Sequence, residues 1–240
     1  MTIWDWIDDF FETALSQGDQ QRARLPLIHS RGYELRETDP EQTLALFEEG
    51  KRLSLALNEP WWTLFFDDWC VTAYEFFLRD YRTVLDRAVH NALELRKPAY
   101  TLFPMRFSIQ RNLVHAYISI DPKGYADRIE DALSHLEETT PVESDDQYLI
   151  FGSRREYALE LNDLELAEQT AHDSLKRADS DEESLAWHYL TFCYCGLCEI
   201  AWRRRDWQAL KDAANEGEEL AKKSKLQMEM TELIIWQAVA

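Results

Sequence analysis

The chain has 240 residues, 45% of them apolar, and carries 45 acids against 26 bases for a formal net charge of −19. That length and apolar fraction exclude a disordered chain, and a surface so acidic repels phosphate backbones and anionic lipid, which argues against nucleic-acid and membrane partners. Gly and Pro number only seven each, too few turn residues for a β-sandwich, barrel or doubly wound sheet, so helices are expected.

The opening, IWDWIDDFFETAL, places Ile3, Ile7, Phe10, Phe11 and Leu15 on one apolar stripe, which predicts an amphipathic capping helix within 1–19. It lacks the basic n-region and continuous apolar core of a secretory leader. No apolar run approaches the roughly 18 residues that span a bilayer. Four cysteines, three of them on one segment, do not look like a disulfide framework, so reduced thiols and a cytoplasmic location are expected. From residue 20 helical periodicity runs almost unbroken, interrupted by short breaks such as ETDPEQ, NEP, LRDY, RKP, DPKGY, TTPVESDD, LNDL, RADSDEES and RRRDW. About twelve helices and no strand are predicted.

The breaks recur. DPEQTLALFEEGKRL (39–53), DYRTVLDRAVHNALE (80–94), GYADRIEDALSHLEE (124–138), DLELAEQTAHDSLKR (163–177) and DWQALKDAANEGEEL (206–220) align, with first positions spaced by 41, 44, 39 and 43 residues. Four of the five begin with aspartate, a helix N-cap that suits the positive end of the helix dipole. Where Gly124 interrupts the series, Asp121-Pro122 is expected to cap instead, with proline at the first helical position. Eight residues on come Phe47, Ala88, Ala132, Ala171 and Ala214, and three further Gly50, Asn91, His135, Ser174 and Gly217. These mostly small residues let each second helix lie close to its neighbours. Two helices in a period near 41 make a helical-hairpin solenoid.

The segments RRRDWQALKDAANEGEELAKK and LNDLELAEQTAHDSLKRAD resemble the turn and second helix of tetratricopeptide repeats. Asp206, Trp207, Leu210, Ala214 and Gly217 match that family's positions, as do Asp163, Leu164, Ala167, Ala171 and Ser174. Trp69, Thr72, Ala73 and Phe76 stand where the family's first helix has Trp, Leu, Gly and Tyr. The family period is about 34 residues; the longer spacing here is similar to that of tetratricopeptide-like regions in bacterial regulators and signalling proteins. The resemblance implies an all-α, right-handed solenoid of about five antiparallel hairpins. Repeats would occupy 20–225, and 226–240 would form a cap or the start of a further repeat.

Three cysteines fall within YLTFCYCGLCEIAW. Cys195 and Cys198 are i,i+3 neighbours on a helix, while Cys193 points elsewhere. Zinc sites usually pair Cys-x2–4-Cys on loops with a second ligand pair, which this segment lacks. His188 shares the face of Cys195, but seven residues of helix separate them by roughly 10 Å. Cys195, Gly196 and Cys198 read as the close-approach seam that Ala and Gly supply elsewhere, with a zinc or redox site as the alternative. There is no Walker loop, dinucleotide glycine fingerprint, G-x-S-x-G or H-E-x-x-H. Acid pairs such as Asp67-Asp68 read as chance among 45 acids. No cofactor is implied.

The segment YTLFPMRFSIQRNLVHAYISI (100–120) carries Arg106, Arg111 and His115 and no acid, and its counterpart YLIFGSRREYALEL carries Arg154 and Arg155. Arg106, Gln110, Leu113 and Tyr117 share one stripe, and Tyr148 and Arg155 another. First helices of tetratricopeptide-like solenoids line the concave groove. The resemblance therefore implies a non-catalytic scaffold that binds a protein or peptide through Arg106, Gln110, Tyr117, Tyr148 and Arg155. Arginine forks and tyrosine faces suit an acidic peptide or a C-terminal carboxylate. The simpler alternative is that these arginines bridge neighbouring acids across packed helices. PWWTLFFDDWC (60–70) reads as core, with Trp61 or Trp62 as an alternative extension of the groove. Ile234, Ile235, Trp236 and Val239 make the final helix a candidate self-association surface. Two other functional readings stay open: a peptide-sensing regulatory module, and a metal- or thiol-dependent enzyme.

Overall fold

The computed structural model describes residues 2–36, 38–178, 186–224 and 227–240. Among them there are twelve α-helices and no strand: α1 (Ile3–Ser16), α2 (Gln20–Leu35), α3 (Pro40–Ala56), α4 (Pro60–Thr72), α5 (Tyr81–Glu94), α6 (Arg106–Ile120), α7 (Ala126–Thr139), α8 (Asp146–Glu160), α9 (Leu164–Ala178), α10 (Ala186–Arg204), α11 (Trp207–Ser224) and α12 (Gln227–Val239). A π-helical stretch (Ala73–Leu78) continues α4, and a 3-10 turn (Pro98–Tyr100) precedes α6. No described helix is long and apolar enough to cross a membrane. The break expected at RADSDEES falls mainly on 179–185, outside the described residues.

At five of the breaks a residue at positive φ closes one helix and the next residue begins the following one. At the end of α1, Gly18 adopts φ 69°, its N–H bonds the Leu15 carbonyl, and the Asp19 N–H reaches back to Ala14. This is a Schellman closure of the outgoing helix. The Asp19 carboxylate then accepts the Arg22 N–H at 3.0 Å and starts α2. Asn162-Asp163 and Arg205-Asp206 repeat the device, with φ 59° at the first residue of each pair. Asp163 caps the Leu166 amide and Asp206 the Ala209 amide. Asn58-Glu59 closes α3 in the same way, but Glu59 caps no amide and accepts Arg22 Nε at 2.6 Å. Asp39 and Asp80 cap α3 and α5 as the alignment predicts. So short a link leaves the joined helices packed on each other: α1 on α2, α3 on α4, α8 on α9, α10 on α11.

Two expectations need correction. Asp121 does not cap α7: its carboxylate accepts the Gly124 N–H at 2.8 Å and closes a separate turn. Helix α7 starts at Ala126 with Tyr125 as an N-cap that makes no side-chain bond. In α1 the buried stripe runs through Trp6, Ile7 and Ala14. Ile3, Ile7 and Phe10 pack on the core as the stripe predicts, but Leu15 is 56% exposed.

The chain divides into two compact units, one ending at Ile120 and one starting at Asp121. The boundary falls where the aspartate series gives way to Gly124, a division that an unbroken array over 20–225 does not mark. The first unit is built on an aromatic block in which Trp6, Phe47, Trp62, Phe65, Phe66 and Phe103 are buried. PWWTLFFDDWC is core, as expected: Trp62 is fully buried, and Trp61 donates its indole N–H to the Ala99 carbonyl at 2.8 Å. His29 sits inside this block against Phe65 and Trp69, and burial lowers its pKa to about 4. In the second unit α10 is central and packs on α8, α9, α11 and α12. In α12, Leu233 is buried while Ile234, Ile235 and Val239 are exposed.

Asp163→Ala and Asp206→Ala each remove one amide acceptor and should cost about 1 kcal/mol, read as a lower urea midpoint at unchanged m. Arg205→Gly relieves the left-handed backbone and should stabilise by up to about 1 kcal/mol in the same assay.

Candidate functional site

All four cysteines are buried, and none forms a disulfide. Cys195 and Cys198 lie in an apolar seam with Ala201, Leu210, Ala214, Ala221 and Leu233, as a small-residue seam requires. Burial pushes the Cys198 thiol up to about 12. Cys193 faces elsewhere, with its Sγ 3.2 Å from Ser174 Oγ. The side chain of His188 lies outside the described residues.

The five residues singled out from sequence divide between the units. On α6 of the first unit, the Arg106 Nη1 donates to the carbonyls of Leu95 and Tyr100, both at 3.0 Å. It thereby ties down the connection between α5 and α6. Gln110 is half-buried and Tyr117 buried. On α8 of the second unit, Tyr148 and Arg155 stand two turns apart and both turn onto α10. Tyr148 stacks on Tyr189 with ring centroids 5.9 Å apart at 11°, and the Arg177 guanidinium lies 5.4 Å from the centre of its ring. Arg155 is only 8% exposed. It lies flat across α10 at Gly196, where any Cβ would meet Arg155 Nε at 2.4 Å.

Neighbouring arginines therefore have different fates. Arg154 pairs with Glu137 and Glu130 on α7, the bridging role that is the simpler reading of such residues. Arg155 donates instead to a soft acceptor, Cys193 Sγ, at 3.3 Å. Among the described residues no carboxylate lies within 4 Å of it. Taking a guanidinium out of water without a counter-charge costs several kcal/mol.

The sequence reading missed a buried acid layer in the first unit. Asp67 and Asp68, treated as a chance pair, are 3% and 1% exposed. Asp67 holds Lys51 at 2.8 Å and Arg87 at 2.7 Å, and Arg87 also pairs with Glu48. Asp68 accepts from Asn112 Nδ2 at 3.0 Å and Ser108 Oγ at 3.3 Å. Burial raises its pKa to about 7, and these two hydrogen bonds oppose the rise. Glu75, on the π-helical stretch, comes within 4.0 Å of His115 Nδ1. Residues of α3 to α6 are thus joined by polar bonds inside the unit. Two charges inside the apolar run WWTLFFDDWC were the available signal, since carboxylates at core positions must be paired or protonated. Among the described residues no group of three or more His, Cys, Asp and Glu is arranged to hold a metal ion.

No family model, curated protein or solved structure matches the chain.

The Asp68 pKa is raised from 3.8 unfolded to about 7 folded, so between those values the folded state binds the extra proton. The stabilising proton is fully held below pH 4 and is lost as pH rises through 7. Asp68→Asn, which keeps a neutral group there, should gain stability relative to wild type between pH 4 and 8, measured as the difference in urea midpoint. The four thiols should resist Ellman's reagent in native protein at pH 8 and titrate fully in denaturant.

Proposed function

We propose that the chain is a tetratricopeptide-like array of helical hairpins acting as a non-catalytic scaffold for a protein or peptide partner. The partner would be held along the face made by the first helix of each hairpin. The recurrent aspartate caps at Asp39, Asp80, Asp163 and Asp206 support the repeat reading. So does the packing of α10 on α8 and α12 as well as on its chain neighbours, the arrangement expected of stacked hairpins. Four buried thiols, none of them in a disulfide, support a reducing, cytoplasmic setting.

One observation carries the binding proposal: Arg155, buried on the α8–α10 face two turns from the stacked Tyr148–Tyr189 pair, has no carboxylate partner among the described residues. A carboxylate brought by the partner, from an acidic side chain or a chain end, would supply the counter-charge as a charge-assisted hydrogen bond. The tyrosines would add flat apolar contact. Arg106 has a different role in this reading, because its guanidinium already serves two backbone carbonyls.

Arg155→Met keeps the length and apolar stem of the side chain and removes its charge. Partner co-purifying with the wild-type chain, quantified by mass spectrometry, should fall at least tenfold with this variant while circular dichroism stays unchanged. Arg106→Met should lower Tm and leave recovery of the partner intact. Equal recovery with Arg155→Met would remove the basis of the proposal.

A further inference from the structure

Counted from their capping aspartates, α3, α5, α9 and α11 are equivalent positions in the repeat. Twelve residues after the cap stand Lys51 on α3 and Leu175 on α9; seven residues after it stand Arg87 on α5 and Ala213 on α11. In the first unit these two cations converge on Asp67 from either side. A cavity of about 300 Å³ remains beside them, lined by Lys51, Asp67, His90 and Glu94 among others.

The second unit has a cavity of similar size, about 300 Å³, formed by α9, α10 and α11. Leu175, Tyr194, Leu197 and Ala213 line its apolar floor. Its rim carries Asp212 and Glu216, exposed and one turn apart on α11. Glu168, also on the rim, is taken by Arg204 at 2.8 Å, and the Asp206 carboxylate caps Ala209. Asp212 accepts only the neutral Gln208 amide, and among the described residues neither Asp212 nor Glu216 pairs with a cation. Residues 121–240 carry 27 acids and 13 bases, a net −14.

We propose that this channel is a second docking surface, built to take a basic amphipathic helix of a partner protein. Lysine and arginine bury their aliphatic stems along apolar surface while the charged head stays in water. An apolar floor with a carboxylate rim suits that division. A helix laid between α9 and α11 would place leucines over Leu175, Leu197 and Ala213 and cationic heads on Asp212 and Glu216. Arg155 does not line this channel.

The test uses the whole chain and three capped synthetic peptides of 14 residues. One is a Leu/Lys helix with leucines at i, i+3, i+4 and i+7, one has the same composition scrambled, and one has glutamate in place of lysine. Binding is followed by calorimetry at physiological salt. The Leu/Lys helix should bind at least tenfold more tightly than the scrambled peptide, and the Leu/Glu helix should not bind measurably. Asp212→Lys/Glu216→Lys should weaken binding at least tenfold. So should Ala213→Arg, which places a long cationic side chain on the channel floor. Asp131→Lys/Glu138→Lys, the same charge change on exposed positions of α7, and Arg155→Met should each retain wild-type affinity. The proposal is overturned by equal affinity for the helical and scrambled peptides, by no measurable binding of the Leu/Lys helix, or by equal losses from the α7 and α11 reversals. Unchanged binding in both channel variants, with native circular dichroism, overturns it as well.

Discussion

An α-helix starts with amides and ends with carbonyls that its own ladder cannot satisfy. Much of this fold rests on settling both ends at once. A residue at positive φ closes the outgoing helix, and the next residue, usually aspartate, opens the following one. Two residues then do what a longer loop would otherwise do, and the two helices are left side by side. Their rotational register is fixed as well, because a capping carboxylate sets which residue is first in the helix and hence which face each later position occupies. The structure tolerates Asn58, Asn162 and even Arg205 at the left-handed position, which shows how strongly the shared turn is favoured over local backbone preference.

Once register is set, a few offsets from the cap decide the chemistry between neighbouring helices. In the first unit they deliver Lys51 and Arg87 to Asp67, and residues from α3 to α6 meet in a layer of buried carboxylates, amides and hydroxyls. In the second unit the same offsets deliver leucine and alanine. There the close approach to α10 is managed by small apolar residues, among them Cys195 and Cys198. One backbone device thus serves a unit that adds a buried acid layer to its aromatic core and a unit whose α10 seam is apolar. The buried acids are unforgiving, because removing one partner strands the other in low dielectric. The thiol seam carries no such penalty.

Arginine placement shows the same dependence on neighbours. Arg106, Arg154 and Arg155 are alike in a sequence scan, yet one serves backbone carbonyls, one serves glutamates, and one lies against a thiol and a glycine. What separates them is the residue opposite each on the adjoining helix. Gly196 admits the flat guanidinium of Arg155, and Cys193 offers it sulfur instead of a carboxylate.

Scarce glycine and proline, the 3.6-residue periodicity and the recurring aspartates were enough to read an all-helical chain of about twelve helices and most of its caps, because these are interactions within a few residues of one another. The burial of the WWTLFF run and the cysteine seam were legible for a related reason: a helix that is apolar on all sides has only the interior to go to. The turn at Asp121–Gly124, the division of the chain after Ile120 and the partners of Asp68 and Arg155 were not legible. Each depends on groups tens of residues away, as with Asp68 and Asn112 or Arg155 and Cys193, and spacing along one chain does not reveal which distant side chain will stand opposite. Local hydrogen bonding is written in the sequence; the pairing of buried charges is decided only when helices pack, since the low dielectric that makes a pair matter exists only in the assembled interior.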